Sequence, residues 1–325
     1  MDSEEEVINT KKLGVAVVGT GFWGKNHARV YKELPSTQLV AICDVNAERA
    51  KTVSEQFGVK AYTDSTQMLK NKEVEAVSIC TWSTYLAEES LKALNADKHV
   101  LVEKPMATNS KQAQQLCELA QQKGLHLTVG FLTRFIPGVQ FIRDAIQKKQ
   151  VGDLVCATSK RVNPWPERIG DVGVVKDSAI HDIDVMRFIS RQDPVAVYAK
   201  MGSRRIKKYE DFVHMMLTYE NGESAFIEAN WLTPSKTRLL TVTGSEGIMK
   251  LDYITQELWI EQQTQTVQPR QPNAEPLKLE LDHFAQCVTE KKKPLTTGLD
   301  GVKALQIAEA AAKSSAENTS INLEK

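Results

Sequence analysis

Residues 13–34 read LGVAVVGTGFWGKNHARVYKEL. Leu13–Val18 is a short unbroken apolar run rich in β-branched residues, the pattern of a strand covered on both faces. Gly19, Gly21 and Gly24 follow in G-x-G-x-x-G spacing, and a helical pattern then runs through His27, Val30 and Leu34. Each glycine has its own task in such a strand–turn–helix unit. Gly19 permits the tight turn, Gly21 lets the backbone approach a pyrophosphate, and Gly24 lets the helix pack closely on the strand. Thr20, Phe22 and Trp23 complete the loop, and the helix behind it presents its positive end to the phosphates.

The next strand, QLVAICD, ends in Asp44, 20 residues beyond Gly24. A carboxylate there accepts hydrogen bonds from ribose hydroxyls and repels a 2′-phosphate, so the expected cofactor is NAD rather than NADP. The competing reading makes Asp44 the cap of a helix starting near Ala47. Helical and strand patterns then alternate through NAERAKTVSEQF, VEAVSICT, AEESLKALNAD, KHVLVEKP, SKQAQQLCELAQQKG and LHLTVGF. That alternation predicts a parallel, doubly wound α/β sheet with the ligand at the carboxyl ends of its strands. Gly19–Gly24, Asp44, Thr81, Trp82, Ser83, Glu103 and Lys104 would then surround one crevice.

The bulk numbers exclude other classes of function. The 325 residues hold 41 Lys+Arg against 41 Asp+Glu, so no net charge favours nucleic acid or an anionic membrane. No apolar stretch has the length of a membrane span. The opening MDSEEEVINTKK is acidic and polar, unlike a secretory signal, and reads as a short frayed tail. Cys43, Cys80, Cys117, Cys156 and Cys287 are scattered, with no CxxC pair and no Cys/His cluster. Neither a zinc site nor a disulfide framework is expected, and a cytoplasmic location is.

From about Phe131 the pattern changes. A helix over PGVQFIRDAIQKKQ leads to a strand-like VGDLVCATSKRVNP, a helix over 177–190, and several stretches with period-two alternation. YENGES, with Asn221-Gly222, predicts a hairpin with a type I′ turn. The expected division is a dinucleotide domain over 1–130 and an α+β domain over 131–325 with a large, mostly antiparallel open sheet. The last helix, about 298–316, is expected to pack back on the first domain. The stretch 261–276, EQQTQTVQPRQPNAEP, reads as an exposed loop.

Residues 177–184 are DSAIHDID. At about 100° per residue, Asp177, His181 and Asp184 fall within an arc of roughly 60° on a helix. Such a face can bind a metal, run acid/base chemistry, or cap and solvate a helix. No further metal ligands cluster nearby in sequence, so no metal is expected. Asp184 is expected to pair with Arg187 at i,i+3, and Asp177 would serve equally as the N-cap of a helix starting at Ser178.

The glycine loop, VLVEKPMA, VGFLTRFIP and DSAIHDIDVMRF together resemble the Gfo/Idh/MocA family of oxidoreductases over nearly the whole chain. The resemblance implies NAD-dependent oxidation of a secondary hydroxyl on a sugar or polyol. It makes Lys104 and His181 the residues that meet the substrate beside the nicotinamide, with Asp177 next to the histidine. It also implies a homodimer or homotetramer formed through the open sheet face, which needs a cover on physical grounds. Trp82 and Leu86 stand where many members carry a proline and a histidine, and Leu132 stands where an asparagine is common; Arg134 is retained in type. PWPERIGDVGV, before the DSAIHDID segment, is similar to the corresponding run in members that oxidise the 3-hydroxyl of UDP-N-acetylglucosamine. Arg161 and Arg168 are then the candidate contacts for a diphosphate, the competing reading being structural pairs with Glu167, Asp171 or Asp177.

Overall fold

The computed structural model describes residues 11–166, 170–205 and 207–323. The acidic opening residues and Arg168, with Glu167, lie outside the described residues.

The alternation read from the first third becomes β1 (Leu13–Val18), α1 (Phe22–Glu33), β2 (Thr37–Cys43), α2 (Ala47–Phe57), β3 (Lys60–Tyr62), α3 (Ser65–Leu69), β4 (Ala76–Ile79), α4 (Ser83–Asn95), β5 (His99–Glu103), α5 (Ser110–Lys123) and β6 (Leu127–Gly130). The six strands form one parallel sheet in the order β3-β2-β1-β4-β5-β6. This is the doubly wound order with its topological switch between β1 and β4, where ligands bind. Every residue of β1 is buried, which explains its unbroken apolar run: both faces are covered.

A 3₁₀ turn (Leu132–Phe135) and α6 (Pro137–Gln147) lead to β7 (Leu154–Val162), a π-helical turn (Val175–Ala179) and α7 (Ile180–Ser190). There follow β8 (Ala196–Gly202), β9 (Phe212–Thr218), β10 (Ser224–Asn230), β11 (Thr237–Gly244), β12 (Gly247–Asp252), β13 (Leu258–Gln262) and β14 (Gln265–Val267). The chain ends with α8 (Pro276–Glu290), α9 (Gly298–Glu317) and β15 (Ile321–Asn322). The second sheet has nine strands in the order β14-β13-β12-β11-β7-β10-β9-β8-β15, antiparallel except where β10 runs beside β7. Along β7 to β10 buried and exposed residues alternate, and Val155, Tyr198 and Phe226 point outward.

Three differences from the sequence reading emerge here. The hairpin at YENGES forms between β9 and β10, but the turn is not type I′. Gly222 N–H donates to Tyr219 O at 3.1 Å, and Gly222 alone in that turn has positive φ, at 88°. A type I turn with a left-handed glycine satisfies the twist by a bulge instead. The stretch 261–276 is only partly loop, because β13 and β14 pair through Gln262 and Gln265. The third concerns α8, a helix the sequence reading passed over. Leu277, Leu281, Phe284 and Ala285 join Val15, Val17, Tyr31 and Ile42 in the core under one face of the first sheet. The other face is covered by a larger core that includes α9 residues and the second sheet. A Cβ on Gly298 would stand 2.7 Å from Cys117 Sγ, and one on Gly301 2.2 Å from Met106 Sδ, so small residues set how closely α9 approaches.

Candidate active site

The glycine loop has the geometry a dinucleotide needs. Gly19 has φ 84°, and a Cβ there would lie 2.7 Å from Cys80 O. A Cβ on Gly24 would stand 1.8 Å from Gly19 O, so only glycine lets α1 sit this close. Around Gly21 a Cβ would meet nothing within 4 Å, which leaves open space where the backbone faces the crevice. No side chain caps α1 and its first turn holds no acid, so its positive end is available to a phosphate. Phe22 and Trp82, both more than half exposed, stand on the α1 and α4 sides, and Trp23 packs edge-on against Phe22.

Asp44 is buried and organises this loop. Its Oδ2 accepts from Thr20 N at 2.8 Å, Thr20 Oγ1 at 2.9 Å and Arg49 at 3.3 Å, while Oδ1 accepts from Asn46 N at 2.9 Å. The helix-capping alternative is not what forms: Asn46 caps α2, its side chain accepting from Arg49 N. The residues present therefore fit a dinucleotide: an open glycine, an uncapped helix end and an acid at the end of β2.

At the end of β5, Glu103 is buried, accepts from Lys104 N at 3.2 Å and meets His27 Nε2 at 3.1 Å. The Lys104–Pro105 peptide is cis. The Lys104 side chain is mostly buried, and its Nζ donates to Asp177 O at 2.6 Å and to Asp177 Oδ1 at 3.2 Å. Thus the end of β5 in the first sheet and the π turn of the second half meet through Lys104 and Asp177.

Asp177 is not an N-cap. It lies inside the π turn, its N–H donating to Gly173 O at 2.9 Å; such wide turns commonly mark functional positions. His181 is buried, and its Nδ1 meets no hydrogen-bond partner among the described residues. Burial, then the positive charges of Lys104, Arg161 and Arg238, hold the ring well below the ordinary histidine range. His181 is therefore a neutral imidazole at physiological pH.

The predicted face of Asp177, His181 and Asp184 does not come together as one cluster. Asp184 is fully buried and bonds Arg134 at 2.8 and 2.6 Å, with Arg187 only a 3.9 Å neighbour. Arg134 also reaches Asp300 and Leu295 O; burial works against its charge, but Asp184 and Asp300 keep it protonated. The expected Asp184–Arg187 pair therefore forms, as a long i,i+3 ion pair at 3.9 Å, while the hydrogen-bonded donor, Arg134, arrives from another element. Among the described residues no group of three or more His, Cys, Asp or Glu is placed to hold a metal ion.

Arg161 turns to a partner the sequence did not indicate. Its Nε donates to Asp182 Oδ2 at 2.6 Å and a terminal nitrogen to Oδ1 at 3.1 Å, while Ser159 Oγ donates to the same carboxylate at 2.6 Å. Two further features were missed. The N–H groups of Ser83 and Thr84, at the start of α4, donate to Asp171 at 3.3 and 2.6 Å. Hydrogen bonds led by Thr84 outweigh burial and keep this carboxyl below its ordinary range. Trp231 Nε1 donates to Ser178 Oγ at 3.2 Å, and a groove of about 400 Å³ lined by Pro164, Trp165, Arg205, Trp231 and Leu232 opens beside it. None of these pairings is local in sequence.

Known proteins share this fold. The family model described as "Oxidoreductase family, NAD-binding Rossmann fold" matches residues 13–131, and that of the "GFO/IDH/MocA C-terminal domain" matches 139–250. A UDP-N-acetylglucosamine 3-dehydrogenase from Acidithiobacillus ferrooxidans is 27% identical over 91% of this chain and 95% of its own. Its solved structure superposes with a TM-score of 0.87 at 25% identity, covering 94% of this chain and 99% of that one. A myo-inositol 2-dehydrogenase from Thermotoga maritima is 26% identical over 96% of this chain and 99% of its own. Both halves, joined where Lys104 meets Asp177, match the two domain models in order, and the chain belongs to the GFO/IDH/MocA family of NAD-binding oxidoreductases.

Proposed function

We propose that this protein is a dehydrogenase that oxidises a secondary hydroxyl of a sugar with NAD, and that the sugar is a UDP-N-acetylhexosamine oxidised at C3. The observation that carries the reading is the meeting of Lys104 Nζ with Asp177 at 2.6 and 3.2 Å beside a buried, neutral His181.

When bound, NAD supplies the hydride acceptor. The chain supplies the rest. His181, uncharged, takes the proton of the reacting hydroxyl. Lys104 donates a hydrogen bond to that oxygen and stabilises its growing negative charge in a poorly hydrated setting. Asp177 holds the ammonium of Lys104 in place through both its backbone and side-chain oxygens. Asp44 fixes Thr20 and hence the phosphate-binding loop.

The match to the UDP-N-acetylglucosamine enzyme over almost the full length of both chains supports the nucleotide sugar. The groove at Trp165 and Trp231 supports it too, since its aromatic faces suit a nucleobase. Arg161, committed to Asp182, is left out of the proposed substrate contacts. The similar match to a myo-inositol dehydrogenase supports the second reading, a free polyol or sugar. A regulator that binds NAD without turnover would have no use for Lys104 and His181 in this arrangement. The protein is proposed to act in the cytoplasm as a homodimer or homotetramer through the outer face of the nine-stranded sheet.

The test is NADH absorbance after mixing protein and NAD with UDP-N-acetylglucosamine, myo-inositol or glucose, each with and without α-ketoglutarate to reoxidise retained NADH. Growth with the nucleotide sugar alone supports the first reading, and growth with the polyol alone replaces it by the second. Silence with all three, while NAD still binds, removes the enzymatic reading for these substrates.

A further inference from the structure

Arg238 stands directly across from Arg161 in the antiparallel pair of β11 and β7, so the two guanidinium groups rise from the same side of the sheet as cross-strand neighbours. Like charges so placed repel unless each has a counter-ion. Arg161 has one, the Asp182 carboxylate. That carboxylate already accepts Arg161 twice and Ser159 once, which leaves little acceptor capacity for a second guanidinium. Arg238 has no carboxylate partner among the described residues, and its Nε is buried without any hydrogen-bond acceptor. Lys236, exposed and just before β11, makes no ion pair among the described residues and lies close enough to feel the charges of Arg238 and Arg161.

A buried donor on a charged group is costly to leave unmade. The charge on this wall is therefore unbalanced toward the positive by the partly buried Arg238, with the exposed Lys236 adding to it at the rim. Burial and the neighbouring Arg161 charge push the Arg238 guanidinium down to about 10. The same Arg238 charge contributes to holding His181 neutral, so it is felt where the reacting hydroxyl is proposed to sit.

We propose that Arg238, assisted by Lys236, binds an anionic group of the substrate, an oxyanion able to engage the flat guanidinium fork with two oxygens. This rests on the reading that the crevice before Lys104 and His181 receives the sugar. It narrows the substrate class to sugars that carry a phosphate or a carboxylate, and it assigns the anion contact to β11 rather than to Arg161. The anion completes the counter-charge that the fold leaves out.

Isothermal titration of the NAD-loaded protein with UDP, with glucuronate and with N-acetylglucosamine tests this. The expected result is binding of one anionic probe, weakened about tenfold or more in Arg238→Gln, partly restored in Arg238→Lys, and unchanged NAD affinity as the control for folding. Binding of UDP but not glucuronate identifies the source as the diphosphate; the converse identifies a sugar acid. No binding of either anion, or anion binding equal in wild type and Arg238→Gln, overturns the proposal. If Arg238→Gln does not fold, Lys236→Gln together with the salt dependence of wild-type binding decides instead: an affinity indifferent to both overturns it. Repeating the titration on Lys104→Ala separates the two readings. Arg238-dependent anion binding without oxidation of any sugar by wild type sinks the dehydrogenase reading alone. Oxidation of a nucleotide sugar with KM unaffected by Arg238→Gln sinks the anion site alone.

Discussion

The ammonium of Lys104, at the end of a strand in the first sheet, donates to the backbone oxygen of Asp177 at 2.6 Å, inside a π turn of the second half of the chain. The side-chain oxygen of the same aspartate is 3.2 Å away. One lysine thus ties the dinucleotide-binding half to the segment bearing His181. Lys104→Ala is expected to lower kcat by about 10²–10⁴-fold while leaving NAD affinity within a few-fold, because the lysine acts on the reacting oxygen and not on the dinucleotide. Stopped-flow NADH formation beside NAD titration checks it; equal losses in both would move Lys104 to the cofactor.

Histidine burial predicts how stability follows pH. Burial lowers His181, His126 and His283 below the usual 6.5, and it takes His99, beside His126, to about 4. Their folded forms resist protonation, so below pH 6.5 the unfolded chain binds more protons and stability falls as pH drops toward the folded values. The buried His181 dominates this loss, and the partly exposed His99, His126 and His283 add less because solvent screens them. Urea midpoints measured from pH 7.5 to 5 should decline, and His181→Gln should flatten part of that decline. A midpoint that rises on acidification would contradict the depressed values.

Arg134 joins three elements by bonding Asp184, Asp300 and the Leu295 carbonyl. Arg134→Leu removes the only hydrogen-bonded cation of the fully buried Asp184 among the described residues, leaving Arg187 at 3.9 Å from it and 3.2 Å from Asp300, and should cost about 3–5 kcal/mol. Chemical denaturation at neutral pH gives the number directly. A loss below 1 kcal/mol would show that the acids find other partners.

Asp44→Ala removes the acceptor of both Thr20 bonds. NAD affinity should fall by about tenfold or more, and the preference over NADP should shrink, since the repelling carboxylate is gone while Arg49 remains nearby. Paired titrations with NAD and NADP measure both effects. Unchanged discrimination would mean that another group rejects the 2′-phosphate.

Phe226, Met216 and Tyr198 form a cross-strand row on the outer face of the nine-stranded sheet, with Phe226 and Tyr198 both exposed. If this face is the proposed subunit contact, Phe226→Glu should shift the protein toward monomer in sedimentation velocity at micromolar concentration, with the fold intact by circular dichroism. A wild-type monomer in the same experiment would remove the contact.

The amino-acid sequence by itself determined the parts whose physics is local. Gly19, Gly21 and Gly24 state a backbone path that few other residues can follow, and the strand–helix periodicities around them force a parallel sheet with its crevice at the switch point. Asp44 and Lys104 could be placed from sequence because each directly follows a strand of that sheet, at its carboxyl end. Only the tertiary structure decided the ion pairs. Helix spacing pointed Asp184 to Arg187, yet Arg134 arrives from another element with better geometry. Arg161 reaches Asp182, which its spacing did not indicate, and register sets Arg238 beside Arg161 with no carboxylate partner among the described residues. A charge can choose any partner the fold brings within reach, and at these distances the winner is set by strand order and register, which no short stretch of sequence contains.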